Sequence, residues 1–191
     1  MVFPRYQEES SALIRLYLGG AFGTRPGDVN PYAASSFFAV DRYASYRQDW
    51  GEWYEQGGLV LCDRYTTSNA VHQASKLSPE ERDTFFRWLY EFEFGKLGLP
   101  KPDLVLYLDM PTGASVSLLR HREAATHTQA DIHERDNAYL AACRETASHA
   151  ADVLGWQRIP CTEDGQLRTV EAIHEDIWNA VKDCLTQAEP V

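Results

Sequence analysis

At 191 residues, with 44% apolar and 12% aromatic side chains, the chain is long and apolar enough for one full core, which excludes intrinsic disorder as a description of the whole. A formal net charge of -10 disfavours diffuse binding to a nucleic-acid polymer or an anionic membrane, since both repel such a surface at long range. A small anionic ligand stays open if arginines cluster locally, and fourteen Arg against four Lys fits planar bidentate recognition somewhat better than generic surface solubility.

The first residues, Val2 and Phe3, read as extended chain stopped by Pro4, and Glu8 to Leu18 carries Ala12, Leu13, Leu16 and Tyr17 at helical spacing up to Gly19-Gly20. Asn30-Pro31 is an N-cap followed by a first-turn proline, and it predicts a helix running to Gln56, where Gly57 and Gly58 stop it. Leu59 to Cys62 is expected as a short buried strand. Ser78-Pro79-Glu80-Glu81 is a capping box, and behind it lies an aromatic-dense helix with Phe85, Phe86, Trp88, Leu89, Tyr90, Phe92 and Phe94 that needs cover on more than one side. Asp103 to Asp109, DLVLYLD, predicts a strand buried on both faces of a parallel sheet. Helix from Pro111 to Arg120 follows, then a polar, apolar-poor segment, HREAATHTQADIHE, resembling a flap. A helix from about Arg135 to Leu154, a strand at Trp156 to Pro160 and an amphipathic helix from about Thr169 to Leu185 complete the chain.

This order, without internal repeats or linkers, predicts one α/β domain over residues 1–191 with parallel strands and a ligand beyond their carboxyl ends, where Asp63, Asp109 and Cys161 fall. Cys62, Cys143, Cys161 and Cys184 lie far apart without a CxxC pair, so reduced thiols and a cytoplasmic location are the expectation. No apolar stretch approaches the ~20 residues needed to cross a bilayer, and no basic region precedes an apolar signal core.

Asp63 and Arg64 leave the strand where the crevice opens, and Arg42 projects from the long helix. A guanidinium there grips phosphate with paired charge-assisted bonds, and a neighbouring carboxylate orients a metal's water or the arginine. Phosphoryl transfer needs that combination. A structural ion pair at a strand end is the alternative for Asp63 and Arg64. Ser68, Asn69 and Gln73 place hydroxyl and carboxamide groups on one face of a helix beginning near Thr67, as reading a nucleobase edge requires. Phe38, four residues before Arg42, puts a stacking ring on the same face as a cationic fork, with core packing as its alternative. Together these groups describe a pocket for a planar base carrying a phosphate.

FPRY, SSFFAVDR, DRYTTSNAVHQ, GLPKPDLVLYLDMP, DIHE and VEAIHEDI, in this order and at these separations, resemble the thymidylate kinase family of nucleoside monophosphate kinases over essentially the whole chain. The resemblance implies a three-layer P-loop NTPase-like fold, ATP-dependent phosphorylation of dTMP with Mg2+, and a homodimer. It implies that Phe38 stacks on thymine, that Arg42 contacts the base edge and reaches toward the phosphate, and that Ser68, Asn69 and Gln73 line the base pocket. Arg64 is then the phosphate clamp, and Asp63 organises magnesium or the attacking oxygen. Arg120 and Arg122 begin a flap, about residues 120–134, that closes over ATP, with Asp131 and Glu134 as the acidic pair after it; solvated charges near helix ends are the alternative for all four.

Two positions depart from the pattern. Arg5 and Tyr6 are expected at the substrate, but the arginine stands one residue earlier than in many relatives. His72 stands where many relatives carry a tyrosine thought to crowd a ribose 2′-hydroxyl. No GxxxxGK[ST] phrase occurs in the 191 residues, whereas P-loop kinases cradle ATP phosphates on such a loop. The expectation is that Met1 is an internal start and that the first, central strand and its loop precede it. Three hypotheses follow: a dTMP kinase with impaired activity in this chain, a non-catalytic nucleotide-binding remnant, and a deoxynucleoside kinase.

Overall fold

Helix boundaries follow the capping chemistry of the sequence. In the computed structural model, which describes residues 1–126 and 137–187, Asn30 Oδ1 accepts from the amides of Tyr32 and Ala33, and Pro31 opens α2, Pro31–Ser45. The helical path continues through one widened π-type turn, Tyr46–Trp50, into α3, Gly51–Glu55. Glycine is required at position 51, because a Cβ there would lie 2.4 Å from the Tyr46 carbonyl oxygen. The helix expected to reach Gln56 is therefore present but interrupted. Before it, a 3-10 turn at Glu9–Ser11 leads into α1, Ala12–Leu18. After it come α4, Thr66–His72, and α5, Pro79–Tyr90, where the Ser78 amide and hydroxyl both donate to Glu81 Oε2 at 3.1 and 2.9 Å.

The chain divides into two compact units, residues 1–100 with 137–146, and residues 101–126 with 147–187. In the first, Phe3, Trp50 and Tyr65 form one buried cluster, and Tyr17, Val29 and Ala34 form another, flanked by Leu18, Phe37 and Phe38. Phe85, Phe86 and Leu89 are buried, so α5 spends much of its aromatic surface on the core. The segment from Leu59 to Cys62 corrects the expectation of a buried strand. It forms no strand; a lone parallel bridge, Val2 to Asp63, follows just after it, with the Phe3 amide donating to the Asp63 carbonyl at 3.0 Å. Val60 and Cys62 pack on the Phe3–Trp50–Tyr65 cluster, while Leu59 and Leu61 are 61% and 77% exposed. An extended chain turns alternate residues to opposite faces, and here one face alone is covered.

In the second unit β1, Leu106–Asp109, pairs in parallel with β2, Gln157–Pro160, in the register Leu106 to Gln157 through Asp109 to Pro160. The described residues give β1 a single strand neighbour, and Leu108 is 47% exposed, so burial on both faces is also corrected. Three helices accompany the strands in the sequence: α6, Thr112–Thr126; α7, Asn137–Leu154, which crosses from one unit to the other; and α8, Val170–Gln187. A small hairpin unforeseen in the sequence, β3 at Thr162–Glu163 and β4 at Gln166–Leu167, turns on Asp164 and Gly165, both with positive φ, as an Asp-Gly turn allows.

Two partly buried cations hold the first unit. Arg5 Nε donates to Asp41 Oδ1 at 3.3 Å, Nη1 to Asp49 at 2.5 Å and Nη2 to Ser10 at 2.9 Å, which clasps the N-terminal segment to α2 and the turn after it. Lys76 Nζ donates to the Tyr17 hydroxyl at 2.9 Å and to the Val29 carbonyl at 3.2 Å, over the Tyr17 ring. Burial holds this ammonium well below its ordinary value of 10.5, at about 8.

Arg5→Met leaves Asp41, 1% exposed, without its cation and is expected to lower the unfolding free energy in urea by about 3 kcal/mol. For Lys76, the unfolded chain keeps its proton up to pH 10.5 while the folded chain releases it near about 8. The cost of burying the charge is therefore carried in full below pH 8 and relieved as pH rises toward 10.5. Wild-type stability relative to the non-titrating Lys76→Met should climb through that window in urea titrations, and a flat difference would contradict the assignment.

Candidate active site

A narrow cleft opens in the first unit. Phe3, Pro4 and Tyr6 of the N-terminal segment, Leu18 of α1 and Phe38 and Arg42 of α2 line it, together with Arg64 and Tyr65 ahead of α4 and Ser68, Asn69, His72 and Gln73 along α4 and its cap. The helical repeat explains these pairings: Phe38 and Arg42, Ser68 and His72, and Asn69 and Gln73 are each four residues apart and share a face. Of the ten substrate-contacting and catalytic candidates, eight are brought together in one cavity; Asp63 and Arg5 are not among its lining residues.

Arg42 is 2% exposed and meets a carboxylate that the sequence reading missed. Its Nε donates to Glu93 Oε2 at 2.7 Å and its Nη2 to Glu93 Oε1 at 2.5 Å, a bidentate fork in the protein interior. Thr66 Oγ1 donates to Glu93 Oε2 at 2.7 Å, and Asn69 Nδ2 to Glu93 Oε1 at 3.3 Å and to the Ser35 carbonyl at 3.3 Å. Glu93 follows α5 in a second π-type turn, Glu91–Lys96, and is fully buried. Phe85, Leu89 and Glu93 recur every four residues, so a carboxylate at a core position was the signal available in the sequence.

Gln73 behaves oppositely. It is fully buried, lines the cleft, and neither its Oε1 nor its Nε2 has a hydrogen-bond partner among the described residues. An unpaired buried amide costs ~1–3 kcal/mol per group, so an acceptor and a donor held open together in a cavity point to a ligand with a matching planar edge. Phe38 is half-buried: its ring stands edge-on to Tyr17, at 6.3 Å between centroids and 89° between planes, and also lines the cleft, so it packs on the core and borders the cavity at once.

Arg64 has φ of 63°, a left-handed backbone that a non-glycine residue adopts at a cost, and its side chain is exposed at the cleft. Asp63 is exposed beside it. His72 is anchored from behind: its carbonyl accepts from the Tyr139 hydroxyl at 2.6 Å, its Nδ1 lies 3.5 Å from the Cys143 sulfur, and its ring stacks on Tyr139 at 6.3 Å. Burial pushes the Cys143 thiol, and the Tyr65 and Tyr139 hydroxyls, above their ordinary values, so none of the three ionises near neutrality. Tyr6 lines the cleft and is 47% exposed. Arg5, expected at the substrate, is turned into the Asp41–Asp49–Ser10 clasp, since buried Asp41 claims its cation. Arg120 is exposed on α6 in the second unit. The Arg122 side chain, most of the flap, Asp131 and Glu134 lie outside the described residues.

Among the described residues no group of three or more His, Cys, Asp or Glu could hold a metal ion, and no helix is long and apolar enough to cross a membrane. The sequence model of the thymidylate kinase family matches residues 4–177. The chain is 32% identical over 140 residues to the thymidylate kinase of Mycobacterium tuberculosis, covering 71% of this chain and 63% of that protein. It is 31% identical over 136 residues to that of Thermomicrobium roseum, covering 69% and 57%, and 24% identical over 160 residues to that of Thermosynechococcus vestitus, covering 82% and 58%. The chain thus spans about 57–63% of the length of these relatives. A match over residues 4–177 takes in every cleft residue but Phe3, and on that ground the chain belongs to the thymidylate kinase family.

Proposed function

We propose that the cleft is a pyrimidine monophosphate site and that the chain serves ATP-dependent phosphorylation of dTMP to dTDP. The orphaned carboxamide of Gln73, buried at the same cleft as Phe38, Arg42 and Arg64, carries this reading. A pyrimidine edge presents one N–H donor flanked by carbonyl acceptors, which a carboxamide matches with two hydrogen bonds, and Phe38 offers a ring for the base face. Arg64, exposed on a strained backbone, supplies positive charge for the phosphate. Phosphoryl transfer gains most from positioning and charge neutralisation, and this wall provides both.

ATP and Mg2+ accompany the reaction. The exposed Asp63 carboxylate, next to Arg64, fits magnesium's preference for one or two carboxylates plus substrate phosphates and retained water. Arg120 and Arg122 of α6 are the proposed contacts to ATP. The enzyme is read as cytoplasmic and homodimeric, with Leu13, Leu16, Val40 and Tyr43 of α1 and α2 exposed as apolar area for a second copy. A second reading, a nucleotide-binding chain without turnover, is favoured by the lack of a GxxxxGK[ST] phrase in these residues. A coupled ADP-release assay on dTMP, dUMP and thymidine separates the readings. The 191-residue chain is expected to bind dTMP and turn it over slowly; turnover of thymidine but not dTMP would assign it to a deoxynucleoside kinase.

Gln73→Leu tests the site directly. Removing both orphaned groups should weaken dTMP binding roughly 10- to 100-fold by calorimetry, while the melting temperature stays level or rises because an unpaired buried amide is gone. Unchanged affinity would remove Gln73 from the base site.

A further inference from the structure

Among the described residues the Glu93 carboxylate has four donors, and each comes from a residue of the cleft wall or the helix that bears it: Arg42 Nε, Arg42 Nη2, Thr66 Oγ1 and Asn69 Nδ2. Two things follow. The charge of Arg42 is cancelled at contact distance inside the protein, where both partners are 2% exposed or less. The guanidinium is also locked by one edge, so its remaining N–H donors, on Nη1 and one position of Nη2, have a fixed direction. Arg42 still lines the cleft, over the Tyr65 ring at 6.0 Å. A neutralised, immobile arginine is a poor attractor for a dianion and a good hydrogen-bond donor to an uncharged carbonyl. Arg64, by contrast, is exposed and forms no ion pair with a described carboxylate.

We propose that Glu93 is a positioning and specificity-determining residue, which converts Arg42 from a phosphate clamp into a reader of the base edge and leaves the phosphate charge to Arg64. The inference rests on the reading of the cleft as a pyrimidine monophosphate site. It divides two chemically identical side chains by their counter-charge: the arginine with a buried carboxylate serves the neutral end of the ligand, and the arginine without one serves the anionic end. The same carboxylate joins α2 to α4 through Thr66 and Asn69, so the stacking ring and the orphaned Gln73 carboxamide keep their spacing through it.

The test compares thymidine with dTMP, since only the second carries phosphate, by calorimetry on the 191-residue chain at low and moderate salt. Glu93→Gln frees the charge and the fork of Arg42. Thymidine binding is expected to fall about tenfold or more, while the preference for dTMP over thymidine rises severalfold and becomes more salt-sensitive. Arg64→Met should do the reverse, lowering that preference with thymidine affinity retained. Glu93→Asp, which keeps the charge, should hold the wild-type preference even if both ligands bind more weakly. A role in folding alone would weaken both ligands equally in Glu93→Gln and leave the preference unmoved, and that result overturns the proposal. If Glu93→Gln does not fold, the uncharged double variant Arg42→Gln with Glu93→Gln decides: the preference stays as in wild type if Arg42 is already neutralised, and drops if Arg42 holds phosphate, which also overturns it. Wild-type protein that binds neither ligand overturns the pocket reading itself, whereas wild-type binding with an unmoved preference overturns the Glu93 inference alone.

Discussion

A single buried carboxylate organises the cleft-bearing side of the first unit. Glu93 contributes no surface of its own, yet it fixes the guanidinium of Arg42 and ties down Thr66 and Asn69 at the start of α4. A buried ion pair is rarely a net source of stability, because desolvation of two charges consumes most of the Coulomb gain. Its value here is geometric. Four hydrogen bonds to one group leave α2 and α4 few alternative registers, and the cleft lies where those two helices present their side chains.

Gln73 supplies the contrast that gives the cleft its chemical character. One polar side chain is saturated, the other is left with donor and acceptor open, and both line or support the same cavity. Interiors satisfy nearly all their polar groups, and an unpaired carboxamide bordering a cleft is the feature on which the proposed reading of that cleft rests. Around it the apolar wall is also shared with the core: Tyr17 touches Phe38 on one side and receives Lys76 on the other. The ring proposed to stack on the base is thereby braced by residues far from it in sequence.

Local signals in the sequence translated well into structure. Asn30-Pro31, the Ser78–Glu81 box and the four-residue spacings of α2 and α4 depend on neighbours a few residues away, and each appears where the pattern places it. Signals that depend on distant partners did not translate. Leu59 to Cys62 reads as fully buried because its composition is apolar, but cover on its second face is a matter of what stands beside it. Arg5 reads as a substrate contact until Asp41, thirty-six residues on, is seen to claim it. Glu93 hid among aromatic residues, and only its spacing from Phe85 and Leu89 marks it as inward-facing. The Asp164-Gly165 turn was legible in principle, since that dipeptide favours positive φ at both positions.

The left-handed backbone of Arg64 has a consequence for what can stand there. At φ of 63° the Cβ crowds the following carbonyl oxygen, so any side chain standing there carries a backbone cost. A branched residue such as valine or isoleucine is sterically barred from that conformation, and asparagine or glycine, which accept it readily, lack both reach and charge. The position thus holds a trade between backbone ease and electrostatic function. A chain drifting toward relaxed geometry at residue 64 would gain local comfort and lose an exposed cation from the lining of the cleft.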